Sequence, residues 1–144
     1  MAKSRTLIAC VIVVVAALAT RASAQDQTFK ARLAPVPVAN TRDGITGLGA
    51  ATATLSGRSL SIRGTFEGLQ TAATIAQLHL GPRGVRGPVI FDLTVTKATS
   101  GTLTGTFTLT PELVEAVKLG RFYLQIHSEK APDGNLWGWL LPPK

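Results

Sequence analysis

The sequence predicts an all-β domain, an antiparallel, Greek-key-like sandwich or barrel of about seven or eight short strands with one short helix. Three observations predict it. From Phe29 onward, apolar and polar residues alternate with period two in a series of short stretches, the pattern of strands with one face in a core and the other in water. Turn sequences such as Asp43-Gly44, Gly57-Arg58 and Pro132-Asp133-Gly134-Asn135 punctuate those stretches. Only the segment after Thr110 carries helical spacing.

The chain of 144 residues suits one domain, once its start is set aside. Lys3 and Arg5 form a charged opening, Leu7 to Leu18 an apolar run of 12 residues, and Ala22-Ser23-Ala24 a small-residue ending. This is the layout of a cleaved secretory signal, so residues 1–24 are expected to be removed and 25–144 to form the domain. The run is shorter than the roughly 20 residues of a spanning helix, and no later stretch is apolar enough to stop transfer. No stable membrane span is therefore expected after cleavage. Leu7-Ile8-Ala9-Cys10 superficially resembles a lipidation site, but most of the apolar run follows Cys10, which argues against it.

Without Lys3, Arg5 and Arg21, the chain keeps 12 Lys plus Arg against 8 Asp plus Glu, a net charge of +4. That balance, spread along an exported chain, argues against nucleic acid as a partner. Cys10 is the one cysteine, so the domain itself has no disulfide and its stability has to come from a packed core.

The elements follow in order. Phe29, Ala31 and Leu33 alternate with Lys30 and Arg32, a half-buried first strand; Pro35 and Pro37 then break the pattern in a segment expected to run extended at a sheet edge. Gly49 to Leu55 is small and threonine-rich. In the clearest strand Leu60, Ile62, Gly64 and Phe66 point one way and Ser61, Arg63, Thr65 and Glu67 the other. Ile75 to Leu80 places Ala76, Leu78 and Leu80 opposite Ile75, Gln77 and His79, and Pro88 to Val95 repeats the alternation. Thr102, Thr104, Thr106 and Thr108 then line one face of a strand. Thr110 is a good N-cap, Pro111 fits the first helical position, Leu113, Val114 and Val117 make an apolar stripe, and Gly120 can end the helix. Arg121 to His127 and Leu136 to Leu141 return to strand alternation.

Two blocks resemble a known family. Ala72 to Gly81 followed by Gly84 to Val89, and much later Tyr123 to Ser128 with Pro132, Gly134 and Gly138, are similar to the CHRD domain pattern, in which an alanine-rich approach to H-I-H-x-G and G-x-x-G-P-V precedes Y-x-x-I-H-T and G-E-I-R-G-Q. The resemblance runs from about Phe29 to Leu141. It implies a β-sandwich and an extracytoplasmic place, and little about activity. The chain departs from the pattern at Gln77, which stands for the first histidine, and at Asn135, Trp137 and Trp139, so any role of a three-histidine cluster does not carry over.

Four candidate features remain. Gln77-Leu78-His79 and Gln125-Ile126-His127 each put a glutamine and a histidine on one strand face; if the strands are neighbours, His79 and His127 converge as candidate copper or zinc ligands, with Asp92 or Glu129 as further donors. Two imidazoles alone are an incomplete site, and a hydrogen-bonded structural cluster is the alternative. Arg83 and Arg86, in the turn G-P-R-G-V-R-G-P, combine guanidiniums with exposed backbone amides and suit an anion; the alternative is a solvated hairpin tip. Trp137 and Trp139 share a strand face about 7 Å apart, a spacing that suits a sugar ring or a protein partner, against plain cross-strand packing. No nucleophile elbow and no cysteine nucleophile is present, and Ser128 and Glu129 beside His127 do not form a triad, because adjacent strand residues face opposite ways.

The sequence therefore points to a secreted or periplasmic, non-enzymatic binding or structural module. Its expected partner is an extracytoplasmic protein, a glycan or an anionic ligand, met by Arg83, Arg86, Trp137 or Trp139. The alternative is a copper- or zinc-binding protein of superoxide-dismutase-like shape using His79 and His127.

Overall fold

A computed structural model describes residues 25–37 and 45–144. The signal segment, Cys10 and the Asp43-Gly44 turn lie outside the described residues. Eight strands and one helix follow in the order β1 (Gln27–Pro35), β2 (Leu48–Ser56), β3 (Ser59–Glu67), β4 (Ala73–Leu80), β5 (Val89–Val95), β6 (Gly101–Thr108), α1 (Pro111–Lys118), β7 (Phe122–Ser128) and β8 (Leu136–Trp139).

The strands close into a barrel in the spatial order β1-β2-β3-β6-β5-β4-β7-β8, with neighbouring strands antiparallel. Strands β4 to β6 run as consecutive neighbours, while β3 lies beside β6 and β7 beside β4, so the Greek-key expectation holds on both flanks. Alternation decides the inside. Phe29 and Leu33 face the small Ala53 and Gly49 across the β1–β2 pair, and Leu60, Leu78, Leu103, Leu124, Ile126 and Leu136 are buried in one core. Each such side chain contributes about 1.5–3 kcal/mol by leaving water. The threonine row of β6 is exposed, as the sequence requires.

The helix is built locally. The Thr110 side chain accepts a hydrogen bond from Leu113 N–H, Pro111 opens the first turn, and Val114 and Val117 are buried. At the other end Gly120 takes φ +68°, Gly120 N–H donates to Val117 O and Arg121 N–H to Ala116 O, a Schellman closure that turns the chain into β7.

One expectation changes. The segment around Pro35 is not a free edge, because Ala34 and Pro35 pair with Trp137 and Leu136 and close the barrel. Val36 N–H donates to Asn135 O next to Pro35, which has no N–H to give. Closure also needs Gly138, where a Cβ would collide with the Arg32 carbonyl oxygen.

Candidate functional site

β7 breaks the rule of one wet face, since all seven of its residues are buried. Leu124 and Ile126 face the core, so Tyr123, Gln125 and His127 lie on the outer face of the barrel. Register places them in rows. His79 of β4, Tyr123 of β7 and Trp139 of β8 stand side by side, and Gln77, Gln125 and Trp137 form the next row. The two histidine strands are therefore neighbours.

Two turns cover this face. Gly81 to Pro88 folds over the first row, where Tyr123 Oη accepts from Gly87 N–H at 2.8 Å and donates to Gly87 O at 3.2 Å. His79 stacks on Tyr123 with centroids 4.7 Å apart, and its Nδ1–H donates to Gly87 O at 2.9 Å. The turn after β7 covers the rest: His127 Nδ1–H donates to Pro132 O at 2.7 Å and Gln125 Nε2–H to Asp133 O at 2.9 Å. Carbonyl oxygens only accept, so these bonds set both imidazole tautomers and the amide orientation. The atoms left over, His79 Nε2, Gln125 Oε1 and His127 Nε2, are buried and have no hydrogen-bond partner among the described residues.

Burial pushes the pKa of His79 below its ordinary 6.5; the Gly87 hydrogen bond opposes this, while repulsion from His127 and Arg86 adds to it. His79 is therefore neutral at neutral pH. Neither carboxylate considered above completes a ligand set. Asp92 accepts from Gln77 Nε2 at 3.0 Å, Glu129 is exposed, and among the described residues no group of three or more His, Cys, Asp or Glu is placed to hold a metal ion.

The tryptophans do not form the flat platform that a 7 Å spacing suggests. Trp139 Nε1–H donates to Gly81 O at 3.0 Å, which turns its ring, and the two indoles meet at 4.7 Å with planes 69° apart. Both pack around Tyr123. The structure also parts the arginines. Arg86 reaches back across the cluster, with Nη1–H donating to Asp133 O at 3.0 Å and its guanidinium 5.9 Å from the Trp137 ring centre. Arg83 points elsewhere, into a cleft of about 760 Å³ shared with Thr28, Lys30, Leu141, Pro142, Pro143 and Lys144.

A family model described as CHRD domain matches residues 22–140. The chain belongs to the CHRD domain family. No curated protein and no solved structure matches it. The match spans all eight strands of this CHRD domain, and the two sequence blocks that carry the resemblance are β4 with its turn and β7 to β8, the walls of the polar cluster. CHRD domains are modules of an extracellular type, with binding or structural roles. No helix among the described residues is long and apolar enough to cross a membrane.

Sequence reading missed several participants. Tyr123 shares a face with Gln125 and His127 at spacing two, which was the available signal. Lys30 and Lys144 join Arg83 only through the fold. Ser128 and Asn135 form a buried pair, Ser128 Oγ–H donating to Asn135 Oδ1 at 2.9 Å, while Asn135 Nδ2–H donates to Thr46 O. That pair is satisfied and structural.

Proposed function

We propose that this CHRD domain is a secreted or periplasmic, non-enzymatic binding module that holds an acidic saccharide in the cleft beside the arginine turn. The cleft carries the reading. Its lining brings together the side chains of Lys30, Arg83 and Lys144 with no Asp or Glu side chain, and its volume lies within the range of small-ligand sites. Three cations suit carboxylate or sulfate groups, and Leu141, Pro142 and Pro143 offer apolar surface for the faces of sugar rings. The signal-like Met1 to Ala24 segment supports export, where such polymers are met.

The test is calorimetric titration of the protein with a sulfated hexasaccharide and with a neutral one of equal length. Binding of the sulfated probe alone, weakened at least tenfold in Lys30→Ala, Arg83→Ala and steeply by added salt, is expected. Equal affinity for the two probes, or an unchanged affinity in the double variant, would sink the reading.

A further inference from the structure

The outer face of β1, β2, β3 and β6 continues one wall of that cleft, since Thr28 and Lys30 of β1 line the cleft and also belong to the face. Burial of Ala31, Ala53, Ile62 and Leu103 turns the residues on either side of each outward. Register sets those residues in rows across the strands, with Lys30, Thr52, Arg63 and Thr104 side by side. In the rows that start from Thr28, Lys30 and Arg32, every outward side chain except Ala50 is a cation or carries a hydroxyl, and none is a carboxylate. Lys30, Arg32 and Arg63 are exposed, and among the described residues the one ion pair lies elsewhere, between Lys118 and Glu115. Like charges gathered without a counter-charge repel one another and attract a polyanion.

The spacing decides the kind of anion. Two strand spacings put Lys30 and Arg63 roughly 10 Å apart between backbones, and two residues along β1 put Lys30 and Arg32 roughly 7 Å apart. A small ion cannot reach all three, whereas a chain that carries acidic groups at intervals can. The threonine and serine hydroxyls between the cations both donate and accept, as sugar hydroxyls require. None of the exposed large apolar side chains stands on these rows, so the face has nothing to insert into a membrane. We propose that the ligand is an acidic polysaccharide chain that leaves the cleft over Lys30 and continues across this face, with Arg32 and Arg63 as its outer anchors. This rests on the saccharide reading of the cleft and extends it from a pocket to a track.

Neither arginine lines the cleft, so variants separate the two parts. The protein, Arg32→Ser, Arg63→Ser, its lysine counterpart Arg32→Lys, Arg63→Lys, and Arg83→Ala are each titrated calorimetrically with dextran sulfate and with uncharged dextran. The polymer is the same in every arm, so the number of sites it offers cancels. Dextran sulfate alone should bind. The serine pair should weaken it at least about tenfold and make its salt dependence shallower, the lysine pair should keep most of the affinity, and Arg83→Ala should weaken it as well. Both arginines of the pair are exposed, and unchanged thermal unfolding checks that the variants fold. Wild-type affinity in the serine pair with a loss in Arg83→Ala confines the chain to the cleft and overturns the track alone. A loss in the serine pair with none in Arg83→Ala overturns the cleft reading and the continuous track with it. Absence of binding to dextran sulfate, or equal binding of uncharged dextran, overturns both.

Discussion

Tyr123→Phe tests whether the cluster holds the turn that covers it. The Tyr123 side chain is 1% exposed, and its hydroxyl is both acceptor for Gly87 N–H and donor to Gly87 O. Removing the oxygen leaves the ring stack on His79 and Trp139 in place. Gly87 O keeps its bond from His79 Nδ1–H, so the group that loses its partner is the Gly87 amide. An orphaned, partly buried amide costs about 1–3 kcal/mol, which sets the expected destabilisation at roughly 2 kcal/mol. For a domain of this size an unfolding entropy near 0.25 kcal/mol/K turns that into a fall in Tm of about 8 °C. Scanning calorimetry reads the stability, and hydrogen exchange at the Gly87 amide reads its location. A fall below about 2 °C with an unchanged exchange rate would refute the reasoning, since the turn would then be held without the hydroxyl.

Two further perturbations probe closure and charge. Gly138→Ala places a methyl against the Arg32 carbonyl, a clash of backbone with backbone that β8 relieves only by drawing away from β1; a loss of about 3 kcal/mol is expected in denaturant titration, and a loss under about 1 kcal/mol would mean that closure tolerates the shift. His79 has a folded pKa below its ordinary 6.5, so the unfolded chain binds the proton more readily. Stability is then full above about 6.5 and declines as pH falls through the folded value, as protonation sets His79 against burial, His127 and Arg86. A Tm that stays flat from about pH 8 to about pH 5 would contradict this.

What was legible in the sequence is what local rules control. The alternation of Leu60, Ile62 and Phe66 in β3, the threonine row of β6 and the caps at Thr110 and Gly120 each follow from spacing or one residue's backbone preference. Whether the sheet folds into a sandwich or closes is not a matter of alternation. It turns on the pairing of Ala34 and Pro35 with Trp137 and Leu136, residues about a hundred positions apart. The same holds for the cluster. Period two separates Tyr123, Gln125 and His127 from the core, and it cannot foresee that Trp137, Trp139 and the Gly81 to Pro88 turn bury them again. Arg83 and Arg86 read as one patch because they are three apart, yet Gly84 between them takes φ +79° and the chain turns them to different neighbours.

That turn joins the two halves of the functional argument. Arg83 reaches the cleft from a segment tied down at both ends: Gly81 N–H donates to Arg121 O and Gly81 O accepts from Trp139, while Leu80 N–H donates to Pro88 O and Gly87 is held by Tyr123 and His79. An apolar cover would bury the same area without these directional bonds, and the turn would have no unique seat. Polar side chains under the turn thus position a cation on its far side. Within the same cluster His79 Nε2, Gln125 Oε1 and His127 Nε2 stay buried without a hydrogen-bond partner among the described residues. A substitution in the cluster that preserves the Gly87 bonds, such as Gln125→Leu, should therefore leave the affinity of the Arg83 cleft unchanged. His79→Ala, which removes one bond to Gly87 O, should weaken that affinity.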